Sequence, residues 1–183
     1  MKDSGAKKQI RLPEAIIPVS HEADVVVVGG GAAGTAAAIA AASNGAKTLL
    51  IEQRGYLGGM GTVSLVPAFC PFTDKEKPIV RGIGLELMER MKRECREDYR
   101  REYENALDWV PIDPEVLKRV YDEAAIESGA RLLFHTFVYD VVLSEDKRRV
   151  EGIVIVNKSG RSFVRCRYLI DATTNVTMPG YNW

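Results

Sequence analysis

Asp24-Val25-Val26-Val27-Val28-Gly29-Gly30-Gly31-Ala32-Ala33-Gly34 opens the stretch that decides the fold, and an alanine-rich run carries it on to Lys47-Thr48-Leu49-Leu50-Ile51-Glu52. Four successive valines with no polar alternation describe a strand covered on both faces, as in a parallel sheet. The glycines that follow have separate physical jobs. Gly29 permits the tight turn off the strand, Gly31 omits the Cβ that would block a pyrophosphate, and Gly34 lets the next helix press against the sheet. Ala36, Ala37, Ala38, Ala40, Ala41 and Ala42 extend that close-packing surface, and Asn44-Gly45 supplies a helix stop. The phosphates of a ligand would lie on free N–H groups at the helix N-terminus, where the dipole favours negative charge. Glu52 follows Gly34 by 18 residues and ends the second strand. A carboxylate there accepts from both hydroxyls of an adenosine ribose and repels a 2′-phosphate, which favours FAD or NAD over NADP. Strand, glycine turn, helix, strand and acid agree on one βαβ dinucleotide-binding unit, where a lone glycine triplet would be weak.

A second glycine cluster follows at once: Arg54-Gly55-Tyr56-Leu57-Gly58-Gly59-Met60-Gly61-Thr62. Its glycines let the backbone approach a flat ligand or its phosphates closely, although glycine clusters also occur as plain flexible turns. Further on, Val66-Pro67-Ala68-Phe69-Cys70-Pro71-Phe72 is apolar with two prolines and is expected to pack as an extended wall, with Cys70 a buried, unreactive thiol. From Gly84 the spacing of Leu85, Met88, Met91, Cys95, Tyr99 and Tyr103 predicts one amphipathic helix with a charged, solvated face. Asp113 as N-cap, Pro114 at the first helical position and Gly129 as terminator frame another, with Val116, Leu117, Val120, Tyr121, Ala124 and Ala125 as its buried stripe. Arg131-Leu132-Leu133-Phe134-His135 then predicts the third parallel strand, with His135 a packed histidine at its end. Three β runs, about 137–143, 150–156 and 162–167, are separated by turn compositions and form a β-meander. Tyr168-Leu169-Ile170-Asp171-Ala172 returns to the parallel sheet as a separate strand. The expected architecture is α/β: a Rossmann-like parallel sheet of the FAD/NAD(P)-binding type with a helical insertion at about 63–109 and the meander at about 137–167. Residues 1–22 form an N-terminal leader and 23–183 the domain.

Gly29-x-Gly31-x-x-Gly34-x-x-x-Ala38, Glu52 and Leu57-Gly58-Gly59-Met60-x-Thr62 together resemble the FAD-dependent oxidoreductases that carry an LGGM-x-T loop after the second strand. These are relatives of the fumarate-reductase-like and thiazole-synthase-like flavoproteins. Plain NAD dehydrogenases have no such second loop. The resemblance implies FAD as the cofactor, the second loop lying along its pyrophosphate and flavin, and a meander inserted where the β runs fall. It implies cofactor contacts at Gly29, Gly31, Ala32, Ala33, Gly34, Glu52, Gln53, Arg54, Gly58, Gly59, Met60, Gly61, Thr62, Val138, Ala172 and Thr173, that of Val138 being a backbone contact with the adenine. The likeness runs from Asp24 to Thr173 and then departs. The family continues its return strand as Asp-Ala-Thr-Gly-Asp, whereas this chain has Asp171-Ala172-Thr173-Thr174-Asn175. A side chain where backbone approach is needed, and an amide in place of an acid, are expected to weaken binding. The chain accordingly reads as a C-terminally truncated member.

Composition removes other classes. Lys plus Arg equal Asp plus Glu at 25 each over 183 residues, so no global field favours nucleic acid or anionic membrane. The three cysteines are far apart and only two histidines are present, so no metal site is expected. No apolar run approaches a membrane span and the first 20 residues lack a secretory core, which places the chain in the cytoplasm with reduced thiols. The function expected is FAD-dependent oxidation or reduction of a small organic substrate, completed by a second subunit or a missing C-terminal substrate domain. A non-catalytic dinucleotide-binding module, one part of a larger flavoprotein assembly, fits the same residues. No side chain stands out as catalytic acid or base, because no paired carboxylates or nucleophile–base pair occurs.

Overall fold

The computed structural model describes residues 16–173. Its centre is a six-stranded sheet. Strand β1 (Val19–Val28) lies between β2 (Thr48–Ile51) and β8 (Gly160–Asp171), parallel to both, and β5 (Arg131–Leu133) extends the parallel part beyond β2. Strands β7 (Val150–Asn157) and β6 (Phe137–Leu143) continue the other side as antiparallel neighbours. The valine run and Thr48-Leu49-Leu50-Ile51 form strands because both of their faces are covered: Val26 and Val27 are fully buried, and each residue of β2 is 1% exposed.

Helix α1 (Ala32–Ser43) connects β1 to β2 and ends as expected, with Asn44 as C-cap and Gly45 at φ +86. One face of the sheet carries the larger core, in which Val27, Ala38 and Leu50 meet Leu57, Met88, Met91, Leu117, Val120 and Tyr121. A second core joins Val26, Val28, Leu49 and Ile51 to Ile153, Ile155, Val164 and Cys166 of the meander strands. Helix α4 (Pro114–Glu127) begins where its signals put it. The Asp113 carboxylate accepts from the Glu115 and Val116 N–H groups, and Gly129 follows at φ +91.

Several expectations are corrected. Strand β1 begins at Val19, ahead of the Val25–Val28 run expected for it, because its first half pairs with the first half of β8 (His21 with Val164, Glu22 with Arg165). The third meander run and the return strand are one strand of 12 residues, since no turn residue separates Cys166 from Tyr168. Its beginning pairs with β7 and its end only with β1, so the meander continues the main sheet. The amphipathic helix from Gly84 is two helices, α2 (Ile83–Glu94) and α3 (Glu97–Tyr103), broken where Cys95 and Arg96 are extended. After the break the Tyr99 hydroxyl donates to the Pro111 carbonyl. The buried Lys92 ammonium, paired with Glu89, also donates to the carbonyls of Glu104 and Ala106 and holds the chain after α3 against α2. Of the apolar wall, only β3 (Ala68–Phe69) is strand, pairing with β4 (Val110–Pro111).

Cys70 is exposed, not buried, whereas Cys95 and Cys166 are buried and all three are free. Burial pushes both inner thiols up to about 11, the negative charges of Asp113 and Glu94 adding to the effect at Cys95. Thiol titration of the folded chain is therefore expected to modify Cys70 rapidly and the other two only after denaturation. Rapid reaction of all three would contradict this burial.

Candidate functional site

A cleft of about 520 Å³ opens at the carboxyl ends of β1 and β2, bounded by the two residues that follow β8 and by the start of β6. This is where an open α/β sheet holds its ligands, because the connections leave neighbouring strands in opposite directions. The first glycine turn forms its floor. Gly29 turns off β1 at φ +95 while its N–H donates to the Ile51 carbonyl at 2.9 Å. Gly31 caps α1 with no side-chain hydrogen bond, and no acid stands in the first turn, so the helix N-terminus is left to other acceptors. A Cβ built on Gly31 meets no protein atom within 4 Å. Built on Gly34, it would collide with the Gly29 carbonyl oxygen and stand 3.1 Å from the Ala172 Cβ. One glycine therefore serves helix–strand contact, and the other keeps open a space next to the helix terminus.

Glu52 lies on the cleft wall, but its carboxylate already has partners in the protein. Oε2 accepts from the Gly30 N–H at 2.6 Å and Oε1 from the Arg54 N–H at 2.8 Å. The acid thus fixes the first glycine turn from the end of the neighbouring strand. Each oxygen retains lone-pair capacity for a hydroxyl in the cleft. The second loop is joined to the first by the Gly58 N–H, which donates to the Gly30 carbonyl at 2.8 Å. The Thr62 hydroxyl turns inward to the Leu57 carbonyl at 2.9 Å.

The structure brings Gly29, Gly31, Glu52, Gln53, Arg54, Gly59, Met60, Val138, Ala172 and Thr173 to the cleft surface. Ala32, Ala33 and Gly34, in the first turn of α1, and Gly58, Gly61 and Thr62, in the second glycine loop, do not line it. Thr174 and Asn175, where the family pattern breaks, lie outside the described residues. Val28, Ile51, Val63, Ser64, Thr136 and Phe137 line the cleft without having been read from the sequence. Val28 and Ile51 are strand ends, so the rule about carboxyl ends could have found them. Thr136 and Phe137 enter because the Thr136 N–H donates to the Glu52 carbonyl, a pairing that no local pattern announces. His135 is exposed rather than packed, at φ +52, with its ring against Gly55 and outside the cleft lining. Glu52 and Arg54 are the ionisable residues of the cleft among those described. No group of three His, Cys, Asp or Glu residues able to hold a metal occurs among the described residues, and no helix among them is long and apolar enough to cross a membrane.

A family model described as FAD dependent oxidoreductase matches residues 24–177. No curated protein sequence matches. Among solved structures, THI4 of Thermovibrio ammonificans is similar at 23% identity and a TM-score of 0.58, over 83% of this chain and 57% of that one. A 3-ketosteroid-delta4-(5alpha)-dehydrogenase of Rhodococcus jostii RHA1 gives 22% identity and 0.57, over 85% and 48%. A flavocytochrome c3 fumarate reductase gives 18% and 0.55, over 93% and 38%. These likenesses concern the fold, and the chain spans less than two thirds of each of those proteins.

Proposed function

Because the chain belongs to the FAD dependent oxidoreductase family, we propose that its cleft holds FAD and that the protein oxidises or reduces a small organic substrate. The observation that carries this reading is the uncapped N-terminus of α1 beside the open space at Gly31. That cradle fits a pyrophosphate, with the first-turn N–H groups of α1 as its donors. Glu52 holds the ribose hydroxyls while continuing to anchor Gly30. Gln53 and Arg54 border that end, the backbone of Val138 meets the adenine, and Gly59 and Met60 lie along the rest of the cofactor beside Ala172 and Thr173. Bound FAD supplies hydride or electron-pair exchange at the flavin, and the protein supplies binding and orientation. Substrate contacts beyond this cleft fall to a second subunit or a further domain. Three free thiols support a reducing, cytoplasmic setting.

A second reading, a non-catalytic dinucleotide-binding module, is favoured by the cleft's lack of any ionisable residue other than Glu52 and Arg54 among those described. Purification of the chain, visible absorbance and identification of the nucleotide released on denaturation separate the two. FAD that a donor reduces supports the enzyme, FAD without turnover supports the module, and NAD alone refutes the flavin assignment. Glu52→Ala is expected to weaken FAD binding by about 2 kcal/mol or more, because the Gly30 N–H loses its acceptor as the ribose loses its own. Unchanged affinity by calorimetric titration would remove Glu52 from the site.

A further inference from the structure

Helix α4 carries a carboxylate that neither the expected buried stripe nor the cleft accounts for. Asp122 is only part exposed, and its Oδ1 accepts from the Leu57 N–H at 3.0 Å. Leu57 is the pin between the two glycine loops. Its side chain is fully buried directly beneath Gly30, where an added Cβ would strike it. Its carbonyl accepts from the Thr62 hydroxyl, and the next residue, Gly58, donates to Gly30. The same helix supports the loop on either side of that pin. The Lys118 ammonium lies 4.2 Å from the centre of the Tyr56 ring, and Leu117 packs against Gly61. Burial raises the Asp122 carboxyl above its ordinary value, the Leu57 N–H opposes that rise, and Glu123 adds to it. A carboxyl group is thus held in a partly desolvated place, where the backbone N–H of the second loop donates to it.

We propose that Asp122 is a positioning residue that holds Leu57, and through it the pair of glycine loops, in the conformation that receives the cofactor. The proposal rests on the reading of the cleft as an FAD site. Asp122 acts through the Leu57 N–H and is not among the residues that line the cleft. A role confined to α4 would be expressed in stability alone, whereas a positioning role is expressed in loop order and cofactor affinity, and is restored by any side chain that keeps an acceptor oxygen at this place.

The test uses the full chain and its D122A and D122N variants, with FAD itself as the titrant and amide hydrogen exchange of residues 57–62 measured without ligand. D122A is expected to exchange these amides faster and to bind FAD about tenfold more weakly, the equilibrium worth of one hydrogen bond to a charged acceptor. D122N, whose carbonyl oxygen accepts the same bond, is expected to return both readouts close to those of the parent chain. Wild-type affinity and exchange in D122A would overturn the proposal. So would equal losses in D122A and D122N, which would point to the charge and not the hydrogen bond. A parent chain that takes up no FAD refutes the function reading, and exchange alone then decides: faster exchange in D122A but not in D122N supports the positioning role, and equal exchange overturns it.

Discussion

Gly34→Ala is expected to destabilise the folded chain by about 3 kcal/mol, the upper end of the range for an overpacked core position, because its neighbours cannot give way. The methyl group would enter the space of the Gly29 carbonyl oxygen, and that oxygen is not the end of a flexible side chain. Gly29 is held by its N–H on the Ile51 carbonyl and by its left-handed turn off β1. On the far side the new carbon would face the Ala172 Cβ at 3.1 Å. Relief requires α1 to move off the sheet, which opens the buried contact that includes Ala38, Val27 and Leu50. Urea unfolding followed by far-ultraviolet circular dichroism measures the loss. A midpoint equal to that of the parent chain would show that the helix does not press on this strand as described.

The second large effect is of the opposite kind. Gly31→Val is expected to leave the unfolding midpoint nearly unchanged and to reduce FAD affinity on the order of a hundredfold or more, which corresponds to about 2.8 kcal/mol of binding. At Gly31 the backbone is extended, φ −73 and ψ −174, a conformation open to any residue, and a Cβ there touches nothing in the protein. The added side chain fills only the space in front of the helix terminus. Titration of the purified variant with FAD is the measurement. Parent-like affinity would refute the placement of the pyrophosphate there, whereas unfolding would show that Gly31 is structural. The two variants are thus expected to separate two glycines three positions apart, with Gly34→Ala lowering stability and Gly31→Val lowering FAD affinity.

Much of this could be read in the residues. Asp113, Pro114 and Gly129 frame α4 because capping is local: the carboxylate reaches N–H groups two and three residues ahead. The valine run and residues 48–51 announced buried parallel strands for an equally local reason, the absence of polar alternation. What escaped depends on partners distant in the chain. Val19 belongs to β1 because β8 runs beside it, and β8 is continuous because it has β7 along its first half and β1 along its second. Cys70 sits in an apolar run and was expected inside, but only the two residues before it pair as strand, and the thiol faces solvent.

By itself the sequence determined the βαβ unit and the order of its elements, since turn geometry, capping and helix–strand packing act over a few residues. The tertiary structure decided how those loops are held. Glu52, assigned to a ribose, also anchors Gly30, and Asp122, assigned to nothing, anchors Leu57. Both are hydrogen bonds across more than 20 residues, from side chains to backbone donors that carry no signature in the sequence, and they form only when strand, loop and crossover helix meet at one end of the sheet.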